Sequence, residues 1–364
     1  MLNRPLLHLP LVLALVLGAP LVAQKAEAPQ IALETLHEAP HVIWKQGRAQ
    51  VLTVKAGKVE VSALDAKGRL ALPGLPPLAL KATGVEAPQV RFEAPAKLAA
   101  VSDIHGNYPG LLKLLRAHGI VDDRNLWTYG KGHLMVVGDV MDRGEGCTEI
   151  LWLLRSLEAQ ARAKGGRVHM VMGNHESMDL KGDLRYVNPK YSTLAKGPLP
   201  ALEVLYGPDS ELGRWMRRRP ALIRIGRTLF VHGGISPVLL DTRATLEDIN
   251  ARLAAAWEPA TPEAERKAIL GTDGPLWYRG LIPGADAKRG DASPEHVAAV
   301  LKAFEVDRIV IGHTTLERVT PHFGGRVIGV DAGLKDGQPG ELLLIEGTQL
   351  HRGLADGRRE PLEP

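Results

Sequence analysis

Five short polar motifs, each following an apolar run, constrain this chain more than any other feature. Asp103-Ile104-His105-Gly106-Asn107 follows Leu98 to Val101, and Gly138-Asp139-Val140-Met141-Asp142-Arg143-Gly144 follows Leu134 to Val137. Gly173-Asn174-His175-Glu176 follows Val168 to Met172. Phe230-Val231-His232-Gly233-Gly234 and Ile311-Gly312-His313-Thr314 again close an apolar run with His beside Gly. Short apolar runs bounded by Gly and charge predict buried strands, so the Asp, Asn and His side chains arrive at strand tips. The two-residue spacing of Asp103 and His105 predicts that both point the same way on such a tip.

Carboxylate, imidazole and amide oxygen without thiolate suit a pair of borderline-to-hard cations such as Mn, Fe or Zn. Two metals ~3.5–4 Å apart can share one carboxylate and a bridging hydroxide that attacks phosphorus in line with the leaving oxygen. A single Asp-x-His or Gly-His-Thr is equally a capping carboxylate or a satisfied core histidine. Five such pieces in this order, each after a strand, are what two-metal hydrolysis requires.

The segments between them predict an α/β rhythm. Pro109 to His118 carries Leu111, Leu112, Leu114 and Leu115 at helical spacing and ends at Gly119. Glu149 to Lys164 predicts a second helix, followed by Gly165-Gly166. Strand, helix, strand, helix, strand is the βαβ order. Leu222 to Ile225 and Thr228 to Val231 predict a hairpin around Gly226-Arg227. Thr245 to Trp257 and Pro262 to Leu270 predict helices, and Ser293-Pro294-Glu295 starts another that runs to about Ala303. Arg308 to Ile311, Arg326 to Val330 and Glu341 to Ile345 are the closing strands. Asp179 to Arg219 interrupts the rhythm and carries Tyr186, Tyr191, Tyr206 and Trp215; it is where a substrate-selecting lid would sit, with plain scaffold as the alternative.

At 364 residues the chain has room for one large domain and a small one. His41 to Trp44, Gln50 to Val54, Lys58 to Ala63 and Val90 to Phe92 predict short strands, hence a small β accessory segment over residues 41–94. Asp65 to Gly84, rich in Pro, Gly and Leu, shows no period. Residues 24–40 read as a linker, residues 95–353 as the main domain and residues 354–364 as a frayed tail.

Residues 1–23 read as a secretory signal, with Arg4, an apolar centre from Leu11 to Leu17 and a cut near Ala23. That predicts a periplasmic or secreted protein with no stable membrane insertion after cleavage; the alternative is a retained anchor. Cys147 is the only cysteine, so a lipidated N-terminus and an internal disulfide are both excluded. The net charge of +4 is spread along the chain. Its one cluster, Arg217-Arg218-Arg219, reads as a solvated helix end, so nucleic acid is not an expected partner.

From about Leu98 to about Gly333 these motifs resemble the signature of the calcineurin-like metallophosphoesterases, and within them the phosphoprotein phosphatases. Gly182-Asp183-Leu184-Arg185-Tyr186-Val187 and Gly274-Pro275-Leu276-Trp277-Tyr278-Arg279 further resemble the Shewanella-like protein phosphatase branch. The resemblance implies a four-layer α/β/β/α sandwich with metals at the strand ends. It implies that Asp103 and His105 hold the first metal, that Asp139 bridges both, and that Asn174, His232 and His313 complete the second. His175 would be the general acid, kept protonated by Asp142. Arg143 would clamp the phosphate oxygens with its planar fork of donors. Arg185 and Arg279 are further candidates for that clamp, with structural ion pairs as the alternative.

The sequence departs from related patterns at two places. Many phosphodiesterases of the superfamily carry Gly-His-x-His, whereas Thr315 takes the second His position here, a gap shared by the phosphoprotein phosphatases. The Tyr-containing segment typical of those phosphatases does not follow His313. The expectation is a dinuclear-metal phosphomonoesterase acting on phosphotyrosine, phosphoserine/threonine or a small phosphate ester. One alternative is a symmetrical bis(5′-nucleosyl)-tetraphosphatase, which typically has Asp in place of Glu176 and Asn in place of Asp142. The other is a non-catalytic module that binds phosphorylated ligands.

Overall fold

The computed structural model describes residues 31–82, 89–288 and 290–363. The expected signal segment lies outside them, and no helix of the described residues is long and apolar enough to cross a membrane.

Two six-stranded sheets form the centre. One runs Arg359–Pro361, Gln349–Leu354, Glu341–Glu346, Lys97–Val101, His133–Val136, Arg167–Met170, the last three parallel. The other runs Thr320–His322, Val327–Gly329, Arg308–Ile311, Thr228–Val231, Leu222–Ile225, Arg91–Phe92. Alternation along each strand separates the layers. Leu98, Ala100, Met135, Phe230, Val310 and Ile328 fill the space between the sheets. Ala99 and Val101 turn outward and join Leu111, Leu115, Ile150 and Leu154 of helices Tyr108–Ala117 and Cys147–Ala163. Leu229, Val231, Ile309 and Ile311 do the same on the far side, under Leu246–Ala255 and Pro294–Phe304. The result is the expected α/β/β/α sandwich.

Local chemistry sets the element ends. Asn107 caps Tyr108–Ala117 by accepting from the Gly110 amide, and Ser293 caps Pro294–Phe304 by accepting from that of His296. Leu222–Ile225 and Thr228–Val231 form the predicted hairpin.

Four expectations are corrected. Residues 354–364 do not fray: Asp356-Gly357 is a hairpin turn, Arg359–Pro361 pairs with Gln349–Leu354, and the Leu362 amide donates to the Leu350 carbonyl at 2.8 Å. The Asp-Gly pair signals such a turn, so polarity alone misread it. The aperiodic stretch after Asp65 contains a second hairpin, Arg69–Leu72 with Leu75–Ala79. Arg219 is buried, not solvated: it pairs with Glu158 at 2.7 Å and stacks over Trp215. The β segment packs against the main domain. Glu38–Lys45, Arg48–Lys55 and Lys58–Ser62 form a sheet whose Val42, Val51 and Val54 join the core under the Cys147–Ala163 helix, and Trp152 Nε1 donates to Pro40 at 2.7 Å. Arg91–Phe92, expected in that segment, is an edge strand of a central sheet.

The interruption at Asp179 to Arg219 is helical: Pro189–Lys196, Leu202–Leu205 and Glu211–Arg217. Tyr191, Tyr206 and Trp215 are buried, and Trp44 donates to Glu211 at 3.0 Å. Most of this segment is therefore scaffold between the β segment and the strand ends, while Tyr186 is 43% exposed.

Candidate active site

The polar residues of all five motifs lie past the C-terminal ends of strands. The strand before Asp103 stops at Val101, and Asp103, His105, Asp139, Asp142, Arg143 and His313 all have φ between 45° and 72°. The expectation that strand alternation aligns Asp103 with His105 is thus corrected: left-handed turns aim them. Such backbone costs on the order of 1–3 kcal/mol per residue and persists only where the surroundings enforce it. Here they do. The amides of His105 and Gly106 donate to the carbonyls of Asp139 and Val140 at 3.0 and 2.9 Å, locking the first two motifs together. Gly106 and Gly144 cross so closely that a Cβ on either would strike the other's backbone.

Glu176 ties the second motif to the third. Its Oε1 accepts from the amides of Val140 and Met141 at 2.6 and 3.0 Å, and its Oε2 from those of Gly173 and Asp139 at 2.8 and 3.0 Å.

Asp139 is the centre of the cluster. Its Oδ2 lies 3.2 Å from His232 Nε2, 3.5 Å from His105 Nε2 and 3.9 Å from His175 Nε2. Asn174 Oδ1 lies 3.0 Å from His232 Nε2, and Asp103 Oδ1 lies 3.9 Å from His105 Nε2. The Nδ1 atoms of His105 and His232 each sit 2.7 Å from a carbonyl, Met141 and Val137, which leaves each Nε2 lone pair facing inward. His313 is reversed: its Nε2 meets the Trp277 carbonyl at 3.1 Å, so Nδ1 is the atom presented. Asp103 Oδ2 accepts from Ser102 Oγ at 2.6 Å and from the His313 amide at 2.8 Å.

These atoms make two overlapping groups of metal-competent donors, His105, Asp139, His175 and Asp139, His232, His313, with Asp139 common to both. All of them are buried. Burial pushes the Asp103 carboxyl up to about 8, with Asp331 and Asp139 adding. Burial acts the same way on Asp139, but the imidazoles of His232, His105 and His175 outweigh it and hold that carboxyl well below its usual range. His232 in turn is raised to about 9, because Asp139 outweighs its burial. Buried carboxylate and inward Nε2 atoms fit metal ions.

Four of the six expected ligands, His105, Asp139, His232 and His313, fall in these groups; Asn174 joins through His232, and Asp103 lies beside His105 but in neither group. His175 stands at their edge, its Nδ1 2.5 Å from Asp142 Oδ2. Burial works against its charged form, yet the bond to Asp142 and the charge of Asp139 raise its pKa. Arg143 lines an open cleft of about 520 Å³ together with His105, Tyr108 and Lys335. Arg279 reaches the same centre from behind: it donates to the His313 carbonyl at 2.6 Å and feels Asp103 and Asp139. Arg185 is not brought in; it is exposed and holds Asp183 through two bonds of 2.8 Å.

Three contributors, Asp331, Lys335 and Asp179, were missed. Asp331 follows the apolar Val327 to Val330, the same signal as the other motifs, and binds Lys335, whose ammonium also lies 3.6 Å from Asp103. Asp179 sits four residues after His175, on one face of helix Asn174–Leu180. Burial, with the charges of Asp142 and Glu176, pushes its carboxyl well above the usual range. Tyr186 places its ring 5.2 Å from that of His175 and 5.4 Å from the Arg143 guanidinium.

Known proteins resemble this chain over most of its length. The sequence model described as calcineurin-like phosphoesterase matches residues 96–316. An uncharacterized protein of Schizosaccharomyces pombe is 30% identical over 72% of this chain and 80% of its own length. Shewanella-like protein phosphatase 2 of Arabidopsis thaliana is 26% identical over 68% of this chain and 74% of its own. The crystal structure of a cold-active protein-tyrosine phosphatase from a psychrophilic Shewanella species superposes with a TM-score of 0.81 at 35% identity, covering 90% of this chain and all of the other.

Proposed function

This chain belongs to the calcineurin-like phosphoesterase family and is a metal-dependent phosphatase; from that premise we propose that it removes phosphate from phosphoproteins, phosphotyrosine foremost and phosphoserine/threonine besides. Asp103 and His105 would hold one ion, Asn174, His232 and His313 a second, with Asp139 between them. When bound, such ions, Mn, Fe or Zn, supply Lewis acidity at the phosphoryl oxygens and lower the pKa of the attacking water.

The observation that carries the reading is Asp139 within 3.9 Å of three imidazole Nε2 atoms, one of them backed by Asp142 at 2.5 Å. His175, held protonated, gives its Nε2 proton to the departing phenolate or alkoxide. Arg143, in the cleft mouth, grips the non-bridging oxygens, and Arg279 adds positive charge from behind. Arg185 turns to the phosphate only if it leaves Asp183. Tyr186, an exposed ring beside His175, suits an aromatic leaving group; that, and the resemblance to a protein-tyrosine phosphatase, supports phosphotyrosine.

The test is elemental analysis followed by a panel of phosphotyrosine and phosphoserine/threonine peptides, small esters and a bis(5′-nucleosyl)-tetraphosphate. Turnover of the tetraphosphate alone would replace this reading with the nucleotide hydrolase. Phosphate binding without turnover in metal-loaded protein would leave only a binding module. We further propose a periplasmic or secreted location, supported by the composition of residues 1–23. Sequencing the N-terminus of the mature protein checks it; a product beginning at Met1 would overturn cleavage.

A further inference from the structure

Next to the catalytic cleft lies a second concavity that the proposed chemistry does not use. It has a volume of about 370 Å³, within the ~300–1,000 Å³ range of sites that take organic groups. Ala39 and Val54 of the β segment, Leu72 and Leu75 of the added hairpin, and Trp152 of the Cys147–Ala163 helix give it an apolar lining. Tyr108 and Glu149 belong to both concavities, so together they form the saddle between this pocket and the cleft of His105 and Arg143.

The saddle is polar. Glu149 Oε2 is buried and has no hydrogen-bond partner among the described residues, an acceptor waiting for an N–H. Lys190 holds the saddle in place: its ammonium lies 2.7 Å from Glu38, donates to the Glu145 carbonyl at 2.9 Å and lies 3.6 Å from the other oxygen of Glu149.

We infer that this pocket is a specificity subsite for a large apolar side chain of a phosphopeptide, placed a few residues from the phosphorylated one. The inference rests on the phosphatase reading and adds the substrate's shape to it. A ligand that fills both concavities needs an apolar group at one end, a phosphate at the other and a hydrogen-bonding link over Glu149. An extended peptide backbone, with an N–H and a ~3.3 Å advance per residue, has all three. The β segment thereby builds one wall of the substrate site.

The test uses the metal-loaded full-length protein and phosphopeptides in which one Leu or Phe is walked along a Gly/Ser background, with para-nitrophenyl phosphate as the pocket-independent substrate. One register should raise kcat/KM roughly ten- to hundred-fold over the all-polar peptide, the gain expected from burying such a side chain. Thr53→Trp, which fills the pocket, and Leu75→Asp, which polarises it, should each erase that gain while para-nitrophenyl phosphate turnover stays within about two-fold. A flat peptide profile with normal aryl phosphate turnover overturns the subsite and leaves the phosphatase reading intact. A gain shown only by a long-chain alkyl phosphate overturns the peptide in favour of an amphiphilic ester. Loss of turnover on every substrate in the wild-type protein overturns both readings.

Discussion

Glu176→Gln is the sharpest single perturbation of the site, because Glu176 touches no candidate metal position yet holds two motifs together. Its two carboxylate oxygens accept four backbone amides at 2.6–3.0 Å, from Gly173, Asp139, Val140 and Met141. Glutamine keeps one oxygen and turns the other into an NH2, so two buried N–H groups face a donor whichever way the amide is turned. An unsatisfied buried donor costs roughly 1–3 kcal/mol, so two cost about 2–6 kcal/mol. The loss falls on the loop that carries Asp139 and Asp142. At about 1.4 kcal/mol per decade, about 2 kcal/mol carried by the metal-bound loop alone corresponds to roughly 30-fold in metal affinity. The assay is a metal titration of the stripped protein, paired with urea unfolding in which the midpoint falls while the m-value holds. Glu176→Asp, one methylene shorter, should reach one pair of amides and lose the other, with an intermediate effect. Wild-type metal affinity and midpoint in Glu176→Gln would refute the clamp.

Three other outcomes follow from the geometry. Asp142→Asn keeps an acceptor for His175 Nδ1 but removes the negative charge that favours the charged imidazole; because that imidazole is the acid, turnover falls as pH rises through its pKa, and the substitution should move that decline to lower pH. It should also cost on the order of 10²–10⁴ in kcat for alkyl phosphates and far less for para-nitrophenyl phosphate, whose leaving group needs no proton; equal losses on both would show that Asp142 acts elsewhere. Arg143→Ala should raise KM and lower kcat by at least about ten-fold with unchanged metal content by elemental analysis, and unaltered ester hydrolysis would remove Arg143 from the site. Asp139→Asn should abolish stoichiometric metal binding and activity together, since that carboxylate is common to both donor groups; retention of two ions per chain would refute the bridging role.

Much was decided by the sequence alone, wherever adjacent residues carried the information. Apolar runs ending in Asp, His or Asn placed Asp103, Asp139, Asn174, His232 and His313 at strand ends, because a buried strand must be apolar and its exit is where polar side chains become useful. The helix after Ser293 was legible for the same reason: its cap, proline and apolar period all lie within a dozen residues. Asp356-Gly357 and Asp331 were equally legible signals that polarity and motif-matching passed over. Only the tertiary structure decided the rest. The left-handed turns at Asp103 and His105 are unfavourable in isolation, and contacts with a loop from another strand stabilise them. Glu176, Lys335 and Asp179 act through partners distant in sequence or through a neighbour's charge, and pairings of that kind exist only once the sheets have stacked. The apolar pocket is likewise a property of packing, for its walls come from four separate parts of the chain.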